Sequence, residues 1–397
     1  MRFRSANNKN LEENVLSIRK VALRAAALCA AAAAVSPAAA EYDWTEVKAA
    51  LDNSPFEHGA LIIYHDGEEV YRAGFGWWDG YSDSQLANLP AINVASLSKT
   101  FTAALALTIS EDATVGLSLN DLVKDYITNA TTLNKNKINA TTYAYDVMKL
   151  DHLITMTSSH DYFLPWPTNL LTCVANPTFS FNTCGQNMVK KNLEKPSALS
   201  TYVIPPGTAF GYSSAPWQIL ALALLNAVNT AHSTSLDFEA LFDLYLTGED
   251  ACDMQKTIIT PANNEWPAGG VETDLIDGGK LAQALLSGVC GDNHTLLSAA
   301  SRTAMETNTM PAQTIYNPDT SGLGYGRGGF LYAPTGTTST KIFMGAGAWG
   351  ATVFYSRDAN WAAYLHLDDH LLTGYEDAIT LVEELVPLID DQADANP

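Results

Sequence analysis

The chain has 397 residues, 47% of them hydrophobic and 16% charged: enough for one large domain with a sizeable core, and too apolar for a disordered protein. Its 22 basic residues face 43 acidic ones, a formal net charge of −21, and a surface of that sign repels phosphate backbones and excludes nucleic-acid binding. No run of eighteen consecutive apolar residues occurs, which excludes a polytopic membrane protein.

The first segment reads as a leader. Arg2, Arg4, Lys9, Arg19, Lys20 and Arg24 precede an apolar run from Ala25 to Val35, and Ser36-Pro37-Ala38-Ala39-Ala40-Glu41 ends it. A basic stretch, a short apolar stretch and an Ala-x-Ala ending form the layout of an export signal cleaved after Ala40, with an uncleaved anchor or organelle targeting as alternatives. Without residues 1–40 the balance becomes 16 basic to 41 acidic residues, a net of −25. The expected location is secreted or periplasmic. Cys29 lies in the leader, leaving Cys173, Cys184, Cys252 and Cys290, an even number that fits an oxidising compartment. Nearest-neighbour pairing gives Cys173–Cys184 and Cys252–Cys290; four buried free thiols are the competing reading. Asn129, Asn139 and Asn293 head N-glycosylation sequons.

Two β-prone runs, 60–64 and 69–74, flank Asp66-Gly67 and read as a hairpin. Helical spacing follows over 97–111, 146–157, 214–228 and 277–288. Residues 158–205 and 250–272, rich in Pro, Asn and Thr, read as long surface loops. Short β-prone runs return at 340–344, 351–356 and 361–367, and 371–390 carries the apolar period of a C-terminal helix. Strands at both ends with helices between them predict an α+β fold. Residues 41–397 then form a single domain, its antiparallel sheet drawn from about 57–75 and 325–390 and its helical part from about 97–320.

Three places could carry chemistry. Ser96-Leu97-Ser98-Lys99 follows a β-prone stretch and opens an apolar helix, so Lys99 sits one turn from Ser96 on the same face. A helix N-terminus favours an oxyanion, and burial of Lys99 would let a neutral amine accept the serine proton. The same pattern at Ser17-Ile18-Arg19-Lys20, in the leader, carries no such context. Tyr212 lies at a loop-to-helix junction in Phe210-Gly211-Tyr212-Ser213-Ser214, where a cationic Lys99 would make its phenol a usable base. Gly345-Ala346-Gly347-Ala348-Trp349-Gly350 joins two strands, and small residues there let the backbone approach a ligand and offer an N–H to an oxyanion.

In this order and spacing the three elements resemble the serine β-lactamase and penicillin-binding-protein superfamily, and within it the class C-like branch that holds D-aminopeptidases, D,D-carboxypeptidases and family VIII esterases. Asp151 to Ser159 and Gly269 to Asp274 resemble further family segments, so the similarity spans roughly residues 50–390. The resemblance implies a β-lactamase/transpeptidase-like fold and an acyl-enzyme on Ser96. Lys99 and Tyr212 would move protons, and the N–H groups of Ser96 and Ala348 would hold the oxyanion. Ser214, Gly345, Ala346, Gly347 and Trp349 would contact a small-molecule acyl substrate. It implies no metal and no organic cofactor, and leaves the oligomeric state open.

Two departures matter. Ser214 stands where the family has Asn, and Gly345 where it has a cationic Lys or His. Loss of a charge-assisted contact worth about 1.5–3 kcal/mol penalises an anionic substrate and spares a neutral one. The sequence therefore predicts esterase-type hydrolysis. One alternative is a β-lactamase or D-peptidase in which Arg327 replaces the missing cation. Another is a non-catalytic binding protein on the same fold. No Gly-x-Ser-x-Gly elbow occurs.

Overall fold

The computed structural model describes residues 42–160, 173, 176, 178–262, 264–290, 294–316, 323–369 and 374–397; the leader and Asn293 lie outside them. Asp66 and Gly67 both take positive φ, 51° and 86°. That pair of values closes a two-residue hairpin whose twist matches its strands, and it joins β1 (His58–His65) to β2 (Glu68–Gly76). The remaining strands of the main sheet come from the far end of the chain: β3 (Gly324–Tyr325), β4 (Phe330–Tyr332), β5 (Ile342–Ala346), β6 (Gly350–Ser356) and β7 (Trp361–Asp368). The seven strands lie in the order β3-β4-β5-β6-β7-β1-β2, each pair antiparallel. β1 joins the two chain ends through β7, with Ala60 opposite His366 and Ile62 opposite Tyr364.

Six helices position the site and the sheet: α1 (Thr45–Asp52), α2 (Ser98–Glu111), α3 (Phe181–Val189), α4 (Ala215–His232), α5 (Leu275–Ser287) and α6 (Gly374–Ala395). β6 is buried along its whole length and β7 at all but its last residue, because helices cover both faces of the sheet. Tyr364 lies against Gly278 of α5. Trp361, three residues away and so on the opposite face, donates from Nε1 to Asp390 Oδ1 of α6 at 2.6 Å. Ser339 Oγ donates to the same carboxylate oxygen at 2.6 Å. α2 is apolar nearly all round and correspondingly buried. It packs on α4, which packs in turn on α3. Cys173–Cys184 and Cys252–Cys290 are both disulfide-bonded, the nearest-neighbour pairing.

Three expectations change. The helix expected over 146–157 shrinks to Leu150–Ile154: Lys149 is held extended in a bridge to Leu122, and Met156 ends the turn at φ 58°. Residues 158–205 include α3, whose first turn Ser180 caps by accepting from Thr183 N–H. Residues 250–272 are not a surface loop throughout. Asn264, Glu265, Ala268 and Val271 are each at most 2% exposed, and Val271–Thr273 pairs with both Ile92–Asn93 and Ile258–Ile259. Part of its polar composition, such as Thr257 and Asn264, serves internal hydrogen bonds. Among the described residues, no helix is long and apolar enough to cross a membrane.

Candidate active site

The chain enters the site along the short strand Ile92–Asn93, and Val94 N–H donates to Val271 O. Asn93 Oδ1 then accepts from Ala95 N–H at 2.8 Å, a side-chain mimic of a backbone turn. Ala95 sits at φ 46°, in the left-handed region that L-residues avoid, immediately before Ser96. A single 3₁₀ turn, Ala95–Leu97, carries Ser96 and runs into α2 at Ser98, so Ser96 precedes the α-helix proper. Ser98 Oγ accepts from Val271 N–H at 3.0 Å and pins this junction from below. The tight turn leaves Ser96 half-exposed above a buried helix.

Lys99, one turn on, is 1% exposed. Its Nζ donates to Ser96 Oγ at 2.8 Å and to Ala268 O at 2.9 Å. Burial without a counter-charge pushes its pKa down from 10.5 to about 7. A substantial neutral fraction therefore exists at neutral pH, within hydrogen-bond reach of the serine hydroxyl. The Ala268 carbonyl is the functional group that sequence reading missed. A main-chain acceptor has no residue signature, and the segment carrying it read as surface.

Tyr212 arrives from another direction. The strand Ala209–Gly211 pairs in parallel with Gln313–Tyr316, and Gly211 N–H donates to Met156 O. Tyr212 stacks on Phe330 at 5.8 Å between centroids and meets Tyr325 edge-on at 6.2 Å. Its ring centroid lies 4.9 Å from Lys99 Nζ. Ser96, Lys99 and Tyr212 are thus brought together from 116 residues of separation. Ser214 is half-buried at the start of α4 and makes no side-chain cap on that helix.

The glycine-rich turn packs on the serine turn. β5 and β6 both contact Ala95–Leu97. Gly347 N–H donates to Ala351 O, Gly350 N–H to Gly347 O, and Trp349 O accepts from Asp369 N–H. Ala346 is buried, and Ala348 and Trp349 are half-buried. Gly345 is tightly packed. A Cβ there would lie 2.2 Å from Thr100 Oγ1 and 3.0 Å from Leu97 Cδ1 of the serine-bearing segment. A Cβ at Gly347 would lie 2.2 Å from Val94 O. The glycine at 345 is required by strand-on-helix packing, so a cation there could not simply be restored. Arg327 is held by an acidic partner and a carbonyl. Its Nε donates to Asp151 Oδ1 at 2.8 Å, its Nη2 lies 2.8 Å from the same oxygen, and Nη1 donates to Ala304 O at 2.6 Å. These contacts occupy its guanidinium with Asp151 and Ala304.

The Beta-lactamase family profile matches residues 47–236, which include Ser96, Lys99 and Tyr212. No curated protein matches the chain by sequence. Among solved structures, a Bacteroides dorei DSM 17855 protein provisionally described as a beta-lactamase aligns with 87% of this chain and 98% of its own, at 17% identity and a TM-score of 0.65. EstCE1, a hydrolase with promiscuous acyltransferase activity, aligns over 88% and 96% at 15% identity and a TM-score of 0.59. A D-stereospecific amidohydrolase from Streptomyces sp. aligns over 86% and 98% at 14% identity and a TM-score of 0.59. By its profile match over residues 47–236 and by its fold, the chain resembles the serine β-lactamase and penicillin-binding-protein-like superfamily.

Proposed function

We propose that this protein is an exported serine hydrolase that acts through an acyl-enzyme on Ser96 and prefers a neutral ester or amide. The observation that carries the reading is the 2.8 Å contact between Ser96 Oγ and an Nζ that burial holds near neutrality. In the proposed reaction neutral Lys99 takes the Ser96 proton as Oγ attacks the substrate carbonyl carbon. The oxygen gains negative charge facing the N–H groups of Ser96 and Ala348. Collapse expels the alcohol or amine, which takes a proton from the Lys99–Tyr212 pair. A water then attacks the acyl-serine, gives its proton to the same pair, and releases the acid and free Ser96.

Preference for a neutral substrate is supported by Gly345, which supplies no cation, and by Arg327, which is occupied by Asp151. Names among the structural neighbours, a hydrolase with promiscuous acyltransferase activity and an amidohydrolase, suit the same chemistry. Two disulfides and the basic-apolar leader support an oxidising, exported location. The test is a panel of p-nitrophenyl acetate, p-nitrophenyl butyrate, nitrocefin and D-Ala-p-nitroanilide, with Ser96→Ala as control. Higher kcat/KM on the esters is expected. Faster nitrocefin turnover replaces the esterase reading with the β-lactamase one, and faster anilide turnover with the D-peptidase one. No turnover and no serine labelling leaves the binding-protein reading.

A further inference from the structure

Residues 264–268 run under the site as a strap, and four of the hydrogen bonds that fix it reach distant elements. Ala268 O accepts from Lys99 Nζ at 2.9 Å and Pro267 O from Thr102 Oγ1 at 2.7 Å; both donors project from one face of α2. Glu265 O accepts from Gln218 Nε2 of α4 at 3.3 Å. The fourth bond leaves the helices: Asn264 Nδ2 donates to Cys173 O at 2.6 Å. Cys173 is 2% exposed and bonded through its sulfur to Cys184, which lies fully buried within α3. A continuous path of covalent and hydrogen bonds therefore leads from the disulfide through Asn264 to the carbonyl that orients Lys99.

We infer that Asn264 is a positioning residue for Lys99, held in place by the Cys173–Cys184 disulfide, so that breaking either loosens the Lys99–Ser96 pair. The inference rests on the serine-hydrolase reading above. Lys99 Nζ has three hydrogens when charged and two when neutral. With Ala268 O accepting one of them, rotation about the last side-chain bond is restricted and the lone pair of the neutral amine can face Ser96 Oγ. A strap untied at Asn264 frees that rotation and admits water beneath the amine. Water stabilises the ammonium, so the pH at which Lys99 becomes neutral moves up towards the ordinary lysine range. Ionisable side chains on the elements meeting Lys99 include Tyr212, Glu265 on the strap, and Arg327 beside Gly328, which packs on Lys99 O; burial is what pushes the Lys99 pKa down. Cys252–Cys290 takes no part in this path and supplies an internal control.

The measurement is the rate at which a fluorophosphonate probe labels Ser96 as a function of pH, on the oxidised mature protein, with a thermal melt to establish that each variant is folded. No natural substrate is needed. Asn264→Ala and the paired change Cys173→Ser with Cys184→Ser should each slow labelling at pH 8 by about 10- to 100-fold, the range expected when a reacting group is displaced by about an ångström. Each should also move the pH midpoint up by about one unit. Asn264→Gln, which keeps an amide donor, should recover part of both changes. Cys252→Ser with Cys290→Ser should leave the midpoint where it is. Unchanged midpoints in folded Asn264→Ala and in the Cys173/Cys184 variant overturn the inference, as does an equal shift in the Cys252/Cys290 variant. If Asn264→Ala does not fold, the Asn264→Gln and cysteine variants decide the matter on the same criteria. Absence of wild-type labelling at Ser96 overturns the hydrolase reading itself, a separate and recognisable failure.

Discussion

The two walls of the cleft are built on opposite principles. The helical wall works through side chains: Ser96 half-exposed, Lys99 buried behind it, and a strained Ala95 at φ 46° presenting both. The strand wall, Gly345 to Gly350, works through the lack of them. Gly345 and Gly347 let it press against Thr100 and Val94, where a Cβ would meet Thr100 Oγ1 or Val94 O at 2.2 Å. On the helical wall the proposed chemistry depends on the identity of side chains. On the strand wall that identity decides whether the two walls can meet.

If that contrast is right, the largest effect belongs to the helical wall. Ser96→Ala should lower ester hydrolysis at least about 10³-fold while leaving the melting temperature nearly unchanged, since the half-exposed hydroxyl contributes little packing. A progress-curve assay and a thermal melt check both halves. Gly345→Lys should do the reverse in kind. Forcing a Cβ against Thr100 Oγ1 costs about 1–3 kcal/mol or more in overpacking, so the melt should fall without any gain on nitrocefin. A stable, nitrocefin-active Gly345→Lys would show that the strand wall tolerates chemistry after all.

Lys99 separates activity from stability. Its pKa is about 7 in the folded protein and 10.5 when unfolded, so between those values the unfolded chain binds more protons and stability rises with pH. Hydrolysis should rise with pH through about 7 as the amine becomes neutral. Lys99→Met should abolish it and yet stabilise the fold at pH 7, by on the order of a few kcal/mol, because no ammonium is then buried. Denaturant titration at pH 7 and pH 9 checks this: the gap between wild type and variant should narrow at the higher pH. The smallest effect is expected at Arg327. Arg327→Met loses the Asp151 contact and about 1.5 kcal/mol of stability, with the ratio of ester to nitrocefin turnover unchanged. A changed ratio would return Arg327 to the cleft.

Legibility in the sequence follows the range of the interaction. The hairpin, the C-terminal meander and α2 announce themselves through turn chemistry and apolar period, because their stabilising contacts are local or repeat regularly. The adjacency of Ser96 and Lys99 is legible for the same reason: three residues on a helix fix it. Tyr212 is legible only as a side chain at a junction, since its approach to Lys99 depends on strands and loops distant in sequence. Ala268 and the strap are hidden, because main-chain acceptors look alike and Asn264, Pro267 and Ala268 look the same in a loop as under a helix. Gly345 misleads in a specific way. Its missing charge is visible in one dimension, but the Thr100 hydroxyl that forbids any side chain is visible only in three.

The pairing of β1 with β7 has a consequence for how the protein is made. Ala60 finds its partner only when His366 has been synthesised, so the central sheet cannot close while the chain is still growing. Contacts of such sequence separation also form slowly, because their loop-closure entropy must be met before they contribute. The polypeptide thus remains unfinished, with β1 lacking one neighbour, until almost its last segment emerges. A chain that defers its closure in this way keeps its main sheet incomplete until the C-terminal strands are available to pair with β1.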